Sequence, residues 1–172
     1  MSALFQPLTL RALTLRNRLW IAPMCQYSVE AQDGVPTDWQ LVHLGQFAIG
    51  GAGLIFAEAT AVTPNGRISP QDTGIWNDAQ AAAWERIVRF IREQGSAAGI
   101  QLGHAGRKAS TFRPWGTDRH GSVPEADGGW STVGPTDDAF GDFAAPVALD
   151  EAGIDEIVRA FAEAATRAVA AG

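Results

Sequence analysis

With one cysteine, Cys25, this chain has no internal disulfide, and a small fold stapled by disulfides is excluded. A lone thiol fits a reducing, cytoplasmic setting. Charge is also sparse. Thirteen basic and nineteen acidic residues leave a net −6, with neither a Lys/Arg run nor a basic patch, so nucleic-acid binding has no electrostatic support. No apolar run is long enough to cross a bilayer. Met1 to Pro7 contains no basic stretch leading into an apolar one, so no secretory signal is visible. What remains has ordinary composition, 46% hydrophobic and 19% charged over 172 residues, as expected of one soluble domain.

Three strand-then-helix units follow from the pattern. Arg18 to Ala22 is a short apolar run stopped by Pro23, and it reads as a buried strand. A helix is predicted from Thr37, where Gln40 completes a capping box and Leu41, Leu44 and Ala48 share a face. Gly53 to Ala57 reads as a second buried strand. Asn77 and Gln80 form another capping pair, ahead of Trp84, Ile87, Val88 and Ile91 at helical spacing, with Gly95 past the end. Gly99 to Leu102 is the third strand. From Ala109 to Pro146 the pattern dissolves into Gly, Pro, Asp and Trp, an excursion that covers a site. Asp150 then caps a last helix with Ile154, Ile157, Val158, Phe161 and Ala165 on its apolar face.

Buried strands alternating with amphipathic helices imply a parallel sheet covered by helices. Gly51-Ala52-Gly53 and Ala97-Ala98-Gly99 introduce strands, and Ala170-Ala171-Gly172 repeats that lead-in. The expectation is an α/β chain forming the N-terminal half of a (β/α)₈ barrel, with residues 1–172 belonging to one domain, 109–146 an excursion and the remaining strands elsewhere. Three strands cannot close such a barrel.

Four segments carry a family resemblance: LTLRNRLWIAPMCQYS, GGAGLIFAEATAVTPNGRIS, GIWND and GIQLGHAGRKAS. In that order and spacing the chain resembles the old yellow enzyme family of FMN-dependent ene-reductases, in its xenobiotic-reductase and thermophilic-like subgroup. The resemblance implies FMN as cofactor, NAD(P)H as hydride source and an activated alkene such as an enone as small-molecule substrate. It also implies a complete enzyme that is a homo-oligomer.

The resemblance places candidate residues at strand ends, where barrel chemistry sits. It implies that the backbone of Pro23 and Met24 packs against the flavin, with the Cys25 thiol beside the ring tuning its potential. Tyr27 would donate to a substrate carbonyl. Ala59 would leave room for the ring and offer its backbone N–H. Gln101 also stands out without the resemblance, because an amide in an apolar strand needs partners for both its sides, a requirement the pyrimidine edge of a flavin meets. Lys108, in the basic loop His104 to Lys108, would accommodate the anionic reduced ring. His104 and His43 read as structural, with no metal implied. Trp115 and Trp130 belong to a lid, a pocket wall or subunit packing.

The histidine pair, proton-donating tyrosine and phosphate-binding loops of the family are not among these residues. Catalysis is therefore expected to need a C-terminal half, in the same parent or a second chain. A non-catalytic half-barrel that binds a partner, or another FMN barrel of the dienoyl-CoA-reductase kind, is the alternative.

Overall fold

The structure, a computed structural model, describes residues 2–172. Its centre is a parallel three-stranded sheet in the order β3 (Trp20–Ile21), β4 (Leu54–Ala61), β5 (Ala97–Gly103). The helices α1 (Asp38–Ile49), α2 (Asp78–Glu93) and α3 (Glu151–Ala170) each follow one of these strands. Trp20 pairs with Leu54, and Leu54 in turn with Ala97. The three predicted βα units are present, with two adjustments. The first strand is only two residues long, whereas β4 and β5 extend beyond their predicted ends to Ala61 and Gly103.

Both predicted capping boxes form, and their glutamines do more than cap. The Gln40 side chain accepts from the Thr37 N–H at 2.9 Å, and the Gln80 side chain accepts from Asn77 N–H at 3.2 Å. Each then donates through Nε2 to the loop in front of α1: Gln40 to Ser28 Oγ at 2.8 Å and Gln80 to the Asp33 carbonyl at 2.8 Å. A polar side chain with all its groups satisfied can be fully buried, as both are.

The core lies between helices and sheet, where Leu44 and Ala48 of α1 and Trp84, Ile87 and Ile91 of α2 meet Ile55, Ala57 and Ile75. The helices approach closely at Gly45, where a Cβ would stand 2.9 Å from the Phe90 ring. The apolar face of α3 is less covered than its sequence implies. Phe161 and Ala164 pack on the core while Ile154 and Val158 are exposed, because α3 packs mainly on α2 and β5, to one side of it.

Two pairings were not expected. An antiparallel hairpin, β1 (Leu8–Leu10) and β2 (Leu13–Leu15), precedes the sheet. Within the excursion, β6 (Val133–Gly134) pairs with β7 (Val147–Ala148). Arg16, just after the hairpin, binds the strand-start side together: its guanidinium donates to the carbonyls of Ala48, Ala52 and Gln94 at 2.8–3.2 Å. Two of those carbonyls close α1 and α2, where a cation is favoured.

Candidate functional site

The pairing of β4 with β5 changes register at its C-terminal end. Ala57 lies opposite Ile100, yet Ala59 lies opposite Gln101, so Glu58 is the extra residue of a bulge. The bulge has two consequences. It sets Ala59 and Gln101 side by side, and it turns Glu58 into the interior at 3% exposure. There Glu58 Oε2 accepts from Gln26 N–H at 2.8 Å, and Oε1 accepts from Gln40 Nε2 at 3.2 Å. One buried carboxylate thus holds the segment after β3 against β4. Burial raises its pKa, and the hydrogen bonds from Gln26, Gln40 and the Tyr27 backbone offset part of that rise.

Above this bulge, at the C-terminal ends of the strands, lies a cleft of about 360 Å³. Cys25, Ala59, Thr60, Asp72, Gln101 and His104 are among its walls. The structure therefore brings together three of the residues singled out in the sequence, Cys25, Ala59 and Gln101. Pro23, Met24, Tyr27 and Lys108 do not line it. Pro23 and Met24 precede Cys25 with Met24 exposed, and Lys108 is exposed with its ammonium 3.9 Å from the centre of the Phe140 ring.

The Gln101 amide is not buried as its strand position suggested. It is exposed on the edge strand, facing the cleft rather than the helices, and makes no hydrogen bond among the described residues.

Tyr27 adopts a left-handed backbone, φ 47°, which a non-glycine residue holds only under constraint. Three contacts supply it: Gln26 N–H on Glu58, Arg113 Nη1 donating to the Tyr27 carbonyl at 3.0 Å, and the Trp115 ring edge-on at 5.1 Å between centroids. The excursion thus reaches back onto the site. Trp130 likewise packs against the Arg67 guanidinium, 4.9 Å from its ring centre. Burial raises the pKa of the Tyr27 phenol, so it remains an O–H donor. The Cys25 thiol is also pushed up, first by burial and then by the charge of Asp72.

Asp72 and His104 were not expected here as cleft residues. His104 Nδ1 accepts from Gly106 N–H at 3.1 Å, which leaves its proton on Nε2, a buried atom without a partner. Burial lowers its pKa, favouring the neutral ring. Asp72 Oδ2 accepts from the N–H groups of Ile68 and Ser69 at 2.6 and 3.3 Å, while Oδ1 is buried and unpartnered. Burial pushes the Asp72 carboxyl up to about 7, against the pull of those two N–H groups. The folded chain then keeps a proton that the unfolded chain, titrating near 3.8, has already lost. Stability from this group falls as pH rises from about 4 to about 7, by on the order of a few kcal/mol. Urea unfolding is expected to show Asp72→Asn more stable than the parent at pH 8 but not at pH 4. Parallel stability profiles would contradict this.

The comparisons with known proteins decide the family. A family model for NADH:flavin oxidoreductases and NADH oxidases matches residues 3–172. The chain belongs to that family. FMN and NAD(P)H are the family's cofactor pair, and the old yellow enzyme resemblance is borne out. Among curated relatives, it is 45% identical to an NADH:flavin oxidoreductase of Gibberella zeae over 98% of this chain and 41% of that protein. It is 42% identical to an NADPH dehydrogenase of Bacillus cytotoxicus over 98% of this chain and 44% of that one. Among solved structures, morphinone reductase superposes with a TM-score of 0.79 at 33% identity, over 99% of this chain and 46% of that one. An old yellow enzyme homologue from Zymomonas mobilis does so at 0.80 and 29%, covering 99% and 46%. The chain spans less than half the length of these relatives, and its fold is the N-terminal part of their (β/α)₈ barrel. No helix among the described residues is long and apolar enough to cross a membrane.

Proposed function

We propose that the cleft receives the isoalloxazine ring of FMN and that the protein carrying this chain reduces activated C=C bonds, such as those of enones, with NAD(P)H. The observation that carries this reading is the in-register pair Ala59 and Gln101, with Cys25 on the same cleft. These residues fit the group. Ala59 is small enough for a flat ring to approach the strand, and Gln101 presents a free amide with both donor and acceptor sides. When bound, FMN supplies the hydride-transfer chemistry, taking hydride from NAD(P)H and giving it to the alkene β-carbon.

The chain's own residues bind and orient. Gln101 reads a polar ring edge, and the Ala59 backbone N–H meets a ring carbonyl. Pro23 and Met24, just before Cys25, would offer backbone beside a ring that reaches past the cleft walls, and Lys108 would contribute positive charge on leaving the Phe140 ring. Cys25 sets its sulfur against the ring without acting as a nucleophile, since its pKa is raised. Tyr27, kept protonated by burial, donates its O–H to the carbonyl of the substrate and so polarises the alkene. Three strands build one side of such a site, and the rest of the barrel, in the same polypeptide or a second one, completes it.

The test is anaerobic consumption of NAD(P)H by the purified protein with and without 2-cyclohexenone. Consumption dependent on the enone is expected, with kcat/KM reduced about tenfold in Tyr27→Phe, the worth of one hydrogen bond to the reacting carbonyl. FMN-loaded protein that leaves NAD(P)H untouched in the presence of the enone would refute the reading.

A further inference from the structure

We infer that Asp72 is a positioning residue of the cleft, its carboxyl being the ionisable group that sets the charge felt at Cys25 and by a ring lying against it. The ring half of this rests on the flavin reading above; the Cys25 half does not. Asp72 is 1% exposed, and one of its oxygens is spent anchoring the backbone of Ile68 and Ser69. A loop-capping aspartate needs no more than that. The second oxygen stands buried and unpartnered in a wall that also carries Cys25 and Gln101, so a charge on it is met by no hydrogen-bond donor.

The neighbouring charges leave Asp72 as the group free to switch. Arg67 donates to the carbonyls of Gln32, Pro64 and Pro70 and packs on the Trp76 and Trp130 rings, making no ion pair with Asp72 among the described residues. Glu58, on β4, has both oxygens occupied by Gln26 and Gln40. His104, after β5, favours its neutral form. Cys25 and Tyr27, after β3, have pKa values raised by burial, so each is held neutral. The carboxyl of Asp72, with one oxygen that no donor reaches, is pushed up to about 7. Above that pH its negative charge raises the thiol pKa and disfavours negative charge on a bound ring. Below it, that penalty is absent.

Two profiles against pH test this, in the parent and in Asp72→Asn. The first is the alkylation rate of Cys25 by iodoacetamide in flavin-free protein, followed on the peptide that bears Cys25. Thiolate reactivity in the parent is expected to rise with unit slope in log rate, interrupted by a shallower step around neutral pH. In Asp72→Asn the step disappears, with rates equal near pH 5.5 and several-fold to about tenfold faster near pH 8.5. The second is the flavin midpoint potential of FMN-loaded protein. Near pH 8.5 the variant is expected to favour reduced over oxidised FMN about tenfold more than the parent, a rise of about 30 mV for a two-electron couple. Near pH 5.5 the two coincide. A parent profile of unbroken unit slope overturns the inference even if the variant does not fold, and so do parallel profiles in parent and variant. Protein that shows the Cys25 step but takes up no FMN sinks the flavin reading and leaves the role of Asp72 standing.

Discussion

Glu58→Ala is expected to lower stability by about 2–4 kcal/mol and to weaken FMN binding at least tenfold. The substitution strips the partner from Gln26 N–H and from the Gln40 amide, both held by one carboxylate in the interior. Buried donors left unpaired cost about 1–3 kcal/mol each, more when the lost acceptor was charged. The loss of binding has a separate cause. Tyr27 keeps its left-handed backbone only while its segment is pinned, and Glu58 holds the residue immediately before it. Glu58→Gln is the informative companion, because it keeps an acceptor for Gln26 and recovers part of both quantities. Urea unfolding and FMN fluorescence titration read them. A Glu58→Ala protein with parental FMN affinity would show that the bulge carboxylate does not position the cleft.

Trp84→Ala is expected to cost about 3–5 kcal/mol, enough to leave many domains largely unfolded. Trp84 is 2% exposed, sits in the core between α2 and the sheet, and donates through Nε1 to the Gly74 carbonyl at 3.1 Å. Removing it opens a cavity and orphans that carbonyl. Trp84→Phe keeps most of the apolar contact and loses only the donor, so about 1–2 kcal/mol is expected. Near-equal losses in the two variants would mean that the hydrogen bond, not packing, dominates at this position. Thermal unfolding by circular dichroism separates the cases.

What could be read from the chain and what could not divide along a physical line. Local signals carried through: Thr37 with Gln40, Asn77 with Gln80 and Asp150 all cap where their spacing puts them, since a cap is decided within four residues. Ala59 and Gln101 were both picked from strand ends, but that they face each other depends on the bulge at Glu58, a property of the β4–β5 pairing that no single strand contains. The acid inside Leu54–Ala61 was nonetheless a signal, because a carboxylate in an apolar run has to be paired. The hairpin of Leu8–Leu10 with Leu13–Leu15 passed unseen because its turn carries Arg11 at φ 54° instead of the glycine or asparagine that marks such turns. Asp72 sits in a Ser-Pro-Gln-Asp stretch that reads as a solvated turn. Its burial arises only when the ends of β4 and β5 and the segment after β3 enclose it. Gln101 erred in the other direction: an amide in an apolar strand suggests the interior, whereas this one faces open cleft.

On this reading a flavin ring rests on the ends of β4 and β5 against Ala59. The direct measurement is the visible absorbance of the protein carrying this chain, purified and desalted after incubation with FMN, beside that of Ala59→Trp. The parent is predicted to retain the flavin band near 450 nm, shifted or structured relative to free FMN. The variant, with an indole filling the space beside Gln101, is predicted to keep its helical circular-dichroism signal and lose the band. A folded Ala59→Trp protein that holds FMN as the parent does would contradict the account.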